Sequence, residues 1–291
     1  MDALAQQMGI TRQAYYQALQ RERAREVAEE RILSLVRLLR AEHPRMGTRK
    51  LLHLLRPMLL QEGLSIGRDR LFALLRAHDL LVPRRRSARR TTWGGGRRYA
   101  NHLAGRQITA PNQAWVVDIT YLRLEDGRFV YLFVVMDLYS RAIVGWVLGD
   151  TLEARHALQA LRMALSQAGG RVDGLIHHSD HGVQYTSGPY QALLAEHGIV
   201  PSMGAVGNAY ENAHAERVLG TLKHEYGLDG LWVSWAQAER AVRQAIRLYN
   251  TRRPHSALGL AVPWAVYLGQ AKAPAVQVKE VQDCTHRMSQ G

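Results

Sequence analysis

The chain has 291 residues, 47% of them hydrophobic, with 38 Lys and Arg against 25 Asp and Glu and a formal net charge of +13. That length predicts about two domains with a sizeable core, and a single cysteine, Cys284, excludes a disulfide framework or a cysteine-rich zinc module. No N-terminal stretch has a signal-peptide pattern and no apolar run nears the ~20 residues of a membrane span, so a cytoplasmic protein is expected.

The charge is unevenly placed. Residues 1–110 hold 22 Lys or Arg against 9 Asp or Glu, whereas residues 111–291 hold 16 of each. An excess confined to the first third points to a polyanionic partner, most often nucleic acid. A solvated basic helical region would carry the same charge.

Residues 1–29 are expected to be a helical segment, possible as a partial helix-turn-helix in "LAQQMGITRQAYYQAL". Residues 30–86 then read as an all-α helix-turn-helix domain. Ile32, Leu35, Val36 and Leu39 fall at helical spacing, "GTRKLLHLLRPML" gives a second helix, and a turn at Gly63 with a Ser65 N-cap opens a third. Leu71, Leu74 and Leu75 would point inward, leaving Arg68 and Arg70 in the first turn to meet phosphates or base edges. A plain three-helix bundle shares this pattern. Residues 87–110 are a basic, Gly-rich linker, and the seven arginines between Arg84 and Arg98, beginning with Arg84, Arg85 and Arg86, could track a phosphate backbone.

From residue 111 to 270 the texture changes. "AWVVDITYLRL", "RFVYLFVVMDLY" and "AIVGWVLGD" are apolar or alternating runs that predict a three-stranded antiparallel meander. A helix follows in "LEARHALQALRMALSQA", then a strand in "GLIHH", a helix in "GPYQALLAEHG", a strand around "IVPSM" and two closing helices. The expected fold is an α/β core, a mixed five-stranded sheet flanked by helices. Residues 271–291 read as an unstructured tail.

Three carboxylates in this region need explanation. Asp118 sits inside the first strand, on the face of Val116 and Thr120, where an isolated buried charge costs several kcal/mol. It must be edge-exposed, paired or bound to metal, and Asp180 at the tip of "LIHHSD" poses the same problem. Asp137 precedes a turn, and capping that turn explains it. On the helix "YENAHAERVLGTLKHEY", Glu211 and Glu216 lie about 140° apart, so only one can face a given site, and Lys223 returns to within ~20° of Glu216. A Glu and a Lys on a solvated face would look the same. The histidines around Asp180 suggest a zinc box of the H-x-H-x-D-H kind, but its first position is Ile176 and no later ligand set is evident.

The motifs "PNQAWVVDITYL", "MDLYSRAIVGW", "HSDHGVQYTS", "GNAYENAHAERVLGTLKHE" and "YNTRRPHSALG" occur in that order, with 35 residues between Asp180 and Glu216. Together with the N-terminal helices they resemble the DDE transposase and retroviral integrase superfamily, and more narrowly the second-frame transposases of the IS-three group of bacterial insertion sequences. The resemblance covers residues 30 to 270 or so. It implies a ribonuclease-H-like core in which Asp118, Asp180 and Glu216 are the catalytic residues and bind two Mg²⁺ or Mn²⁺ ions, hard cations suited to carboxylate oxygen. Water would free a 3′-hydroxyl at the end of the element, and that hydroxyl would attack a second phosphodiester. Lys223 would contact DNA near the cut, with Gln184 and Tyr185 lining the approach. The implied partners are double-stranded DNA, at least a second copy of the chain, and an upstream-frame transposase subunit; the implied location is the bacterial nucleoid. Glu211 stands where the family usually has aspartate, which leaves the triad intact. A DNA-binding regulator derived from a transposase is the alternative, and the three unreplaced carboxylates speak against it.

Overall fold

The structure, a computed structural model, describes residues 11–83, 99–170, 172–204 and 213–278. The chain divides near residue 85 into two compact units.

The first unit is helical. Helix α1 (Arg12–Glu42) starts at Thr11, whose hydroxyl accepts a hydrogen bond from the Ala14 amide at 3.2 Å. It runs straight through the boundary expected at residues 29 and 30, because no Gly or Pro interrupts the sequence there. Its buried side chains, Ile32, Leu33, Leu35 and Val36, all lie in its second half. They pack with Leu51, Leu52, Leu55 and Leu59 of α2 (Thr48–Gln61) and with Leu71, Leu74 and Leu75 of α3 (Arg68–Ala77). Gly63 turns the chain between α2 and α3 at φ +67°, as expected. The expected Ser65 cap is not used: Gly67 is the N-cap of α3, and its extended backbone starts the helix two residues later without a side-chain bond.

In the second unit, β2 (Ala114–Leu124), β3 (Phe129–Asp137) and β4 (Ile143–Gly149) form the antiparallel meander. Strands β5 (Ile176–Ser179) and β6 (Val200–Met203) join it in parallel, giving the order β4-β3-β2-β5-β6, and the short β7 (Leu231–Trp232) also pairs with β2. Side-chain alternation separates two cores. Trp115, Val117, Phe133 and Val135 pack under α4 (Ala154–Gln167) and α6 (Gly188–Glu196). Val116, Leu122, Leu132 and Val134 pack under α7 (Ala213–Glu225) and α8 (Trp235–Thr251). Gly145 lets α4 lie directly on β4, since a Cβ there would stand 2.1 Å from the Ala160 carbonyl oxygen.

Two of the expected irregular stretches have structure. Leu103 and Ile108, from the expected linker, are buried in the core. Strand β1 (Gln107–Ile108) pairs with β8 (Val276–Gln277), which comes from the expected tail. Each segment is too short to show a period of its own, and each is fixed by the other. No helix among the described residues is long and apolar enough to cross a membrane.

Candidate active site

The register of β2 and β5 sets the relation of the two aspartates. Val116 pairs with His178 in the last rung of that parallel ladder. Two residues further on stand Asp118, still within β2, and Asp180, the first residue past β5; continued alternation would put both on one side of the pleat. Because Val116 belongs to the core under α7, this is the face that α7 covers. Asp118 is partly buried, and one of its oxygens accepts the Ile119 amide at 2.8 Å. Asp180, also partly buried, accepts the Gly182 amide at 3.0 Å. A Cβ at Gly182 would fall 2.8 Å from Gln184 Oε1 and 3.0 Å from that same Asp180 oxygen, so glycine lets the loop fold back on the carboxylate. Both aspartates reach the Tyr185 phenol electrostatically. Burial pushes that phenol well above its ordinary value, and the charges of Asp180 and Asp118 push it further.

Glu216 lies in the first turn of α7, partly buried, beside the stripe of Ala215, Val218, Leu219 and Leu222 that packs on the sheet. Lys223, two turns on along the same flank, brings its ammonium to 4.4 Å from the centre of the Tyr121 ring. Tyr121 follows Asp118 by three residues, which on a strand turns it to the opposite face; α7 itself packs on the Val116 face through its apolar stripe. Among the described residues, no three His, Cys, Asp or Glu side chains converge closely enough to hold a metal ion. The donor types and the shared face suit a hard divalent cation; the convergence is absent.

Two family-like motifs fix the helices over this face. Asn250 of α8 bridges the start of β4, accepting the Ile143 amide at 3.0 Å and donating to its carbonyl at 2.9 Å. The neighbouring Tyr249 hydroxyl donates to the Arg141 carbonyl at 3.1 Å. Arg253, buried just after α8, grips Glu225 at the end of α7 with two bonds of 2.7 and 2.8 Å. Asp137 caps its turn as expected, accepting from the amides of Asn112 and Ser140, each at 2.7 Å, and from the Ser140 hydroxyl. Burial raises the Asp137 carboxyl, against the pull of these bonds.

The histidines of "LIHHSDH" turn inward to protein partners. His177 Nε2 meets the Tyr190 hydroxyl at 2.8 Å, His178 Nδ1 meets the Ser202 hydroxyl at 3.0 Å, and His181 Nε2 meets the Gly204 carbonyl at 2.7 Å. This is no zinc box. Burial lowers His177 to about 3 and His178 to about 4, from an ordinary 6.5, so both are neutral in the fold at neutral pH. The unfolded chain takes up protons below pH 6.5 and the folded chain does not, so stability is complete above that value and lost as pH falls. From pH 7 to pH 5, His177 alone should cost about 2 kcal/mol, and His178 acts in the same direction. Urea midpoints at the two pH values check this; equal midpoints would mean that both rings are charged in the fold.

The Integrase core domain family matches residues 108–209 and, in a second form, residues 197–263. The 31 kDa protein of insertion element IS600 from Shigella sonnei is 33% identical over 268 residues, which cover 90% of this chain and 96% of that protein. The transposase for insertion sequence element IS629, also from Shigella sonnei, is 35% identical over 207 residues, covering 70% and 69%. The chain belongs to the integrase-core transposases of the IS3 type. Transposase InsF for insertion sequence IS3A of Escherichia coli K12 is 45% identical over 117 residues, 40% of each chain. A simian T-cell lymphotropic virus intasome structure aligns with a TM-score of 0.48 at 18% identity, over 85% of this chain and 79% of that one.

As an insertion-sequence transposase, the chain has DNA strand cleavage and strand transfer as its activity. Two of the expected DNA contacts of this transposase are placed otherwise. Gln184 and Tyr185 are only 9% and 3% exposed. The four-residue helix α5 (Val183–Thr186) turns them inward and Val183 outward, and Tyr185 packs against His177 and Tyr190. Arg68 and Arg70 are exposed in the first turn of α3, Arg68 paired with Asp69 at 2.8 Å and Arg70 with Glu29 of α1. Arg84, Arg85, Arg86 and Glu211 lie outside the described residues. Sequence reasoning missed Tyr121 and the Arg253 clamp. The first carried a signal, an aromatic at an outward position of the alternating strand.

Proposed function

We propose that Asp118, Asp180 and Glu216 hold two divalent ions, Mg²⁺ or Mn²⁺, and that the transposase cuts and joins DNA there at the ends of its insertion sequence. The observation that carries this reading is the register: two aspartates each two residues beyond the last pair of the β2–β5 ladder, next to the face covered by the helix that bears Glu216. Catalysis in the integrase-core family generally depends on divalent metal. Two ions bound there would activate the attacking oxygen and steady the leaving oxygen of an in-line displacement at phosphorus.

The protein's own part is placement. Asp118 comes from the middle of β2, where its backbone is held by the β3 ladder opposite Val134 on one side, while on the other side β2 is paired only near its ends, with β5 and β7. Asp180 is held by the Gly182 turn. Glu216 comes from a separate element, α7, whose far end is anchored by Arg253. Lys223 would neutralise a phosphate near the cut, while Arg68, Arg70 and the arginines 84–86 would hold more distant backbone. Arg70 would exchange Glu29 for phosphate in doing so. Bringing two ends together calls for at least two copies of the chain on DNA. Nothing in the comparisons speaks for an upstream-frame subunit.

The test is cleavage of a labelled duplex carrying the element's end. The expected result is a nick that leaves a 3′-hydroxyl with Mg²⁺ or Mn²⁺ and is abolished by a chelator. A 3′-phosphate product, or cutting that survives chelation, would overturn the reading.

A further inference from the structure

One end of the sheet carries aromatic surface that the fold does not use. On β2 the odd-numbered face belongs to the α4 core as far as Ile119, and beyond it the sheet is bare. Tyr121 is 57% exposed and Phe129 43%, with their rings edge to face at 5.3 Å. Arg123, also exposed, lies in register between Phe129 of β3 and Leu231 of β7. The opposite face of the same strands is packed, with Leu122, Leu124 and Val130 buried. Lys223 adds its charge above the Tyr121 ring. Of the two hairpin acids, Asp126 is paired with Arg128 at 2.7 Å and Glu125 is exposed.

We propose that Tyr121 and Phe129 form a stacking platform for unpaired DNA bases, flanked by Arg123 and Lys223 for the phosphates. Exposed rings interleaved with cations on an open sheet are what single-stranded nucleic acid binds, because every base offers a π face and its backbone needs positive charge. DNA is also what this family acts on. The placement rests on Asp118 as an active-site carboxylate. Tyr121 lies three residues beyond it, roughly 10 Å at the rise of a strand, or about three base steps along one DNA strand. Three residues along a strand also puts Tyr121 on the face of β2 opposite Asp118, so the bases that meet these rings are those of a strand passing around this end of the sheet from the cut.

The test uses the full chain in EDTA, so that the triad plays no part, with labelled oligothymidylate and a blunt duplex of equal length as probes. The Tyr121→Ala/Phe129→Ala variant should bind the single strand about ten-fold more weakly or worse. It should bind the duplex within about two-fold, with the same salt dependence, since no phosphate contact is lost. Tyr121→Phe should keep single-strand binding. Both positions are exposed, and an unchanged melting temperature shows that the variant folds. Unchanged single-strand binding, or equal loss on both probes, overturns the proposal. So does sedimentation showing that a wild-type oligomer falls apart in the variant, because the patch is then an interface between copies. Failure of cleavage in the presence of intact platform binding would count against the triad alone.

Discussion

Glu216→Gln should abolish DNA cleavage and leave the transposase folded. The substitution keeps the volume and the helix propensity of the side chain and touches none of the buried residues of α7, which are Ala215, Val218, Leu219 and Leu222. Its structural cost includes the favourable meeting of a carboxylate with the first turn of a helix, about 0.3–1 kcal/mol. Its chemical cost is far larger. Loss of a metal-holding carboxylate removes several kcal/mol of transition-state stabilisation. At about 1.4 kcal/mol per factor of ten, that is at least a thousand-fold in rate. Wild type and variant compared on one labelled end, with Mg²⁺ and then Mn²⁺, decide the matter. Equal cutting by both would remove Glu216 from the site while leaving the register argument for Asp118 and Asp180 untouched.

The contrast between those carboxylates also explains what could be read in the sequence. Asp118 stood out because a charge inside an alternating apolar strand is costly without a use, and that argument needs no neighbour. Strand alternation likewise placed Asp118 on the face of Val116 and Thr120. Glu216 had no such signal, since a helix flank tolerates a solvated Glu, and only the order and spacing of the motifs singled it out. Gln184 and Tyr185 were carried over from the resemblance alone, and a four-residue helix has too few residues for the sequence to show that they are buried. The break expected in α1 failed for the opposite reason: the polar stretch before Arg31 looks like a boundary but contains nothing that stops a helix. The pairing of β1 with β8 spans more than 160 residues, and neither two-residue strand announces itself. The same holds for the clamp on α7, where "YNTRRPHS" shows an Arg but not the Glu225 it holds.

That clamp should be among the most costly contacts to remove. Arg253 is 3% exposed, and its guanidinium is satisfied on one edge by both oxygens of Glu225. Glu225 itself sits at the C-terminal end of α7, where a carboxylate opposes the helix dipole. Its presence there makes sense through Arg253, which also lies over the Tyr249 ring at 5.6 Å. Breaking a buried pair by removing one partner costs about 3–5 kcal/mol, because the other charge is left uncompensated. The Glu225 side chain is 21% exposed, so water recovers part of that loss. Arg253→Ala should therefore cost about 3 kcal/mol, near the lower end, and lower the melting temperature by about 10 °C for a unit of this size. Adding Glu225→Gln should restore part of the loss, since the orphaned charge goes with it, and the shortfall from additivity measures the coupling. An Arg253→Ala melting curve that superimposes on wild type would show that α7 is held by its apolar stripe alone. In that case the distance between Glu216 and the two aspartates would be set by packing on β2 and not by the anchor at the far end of the helix.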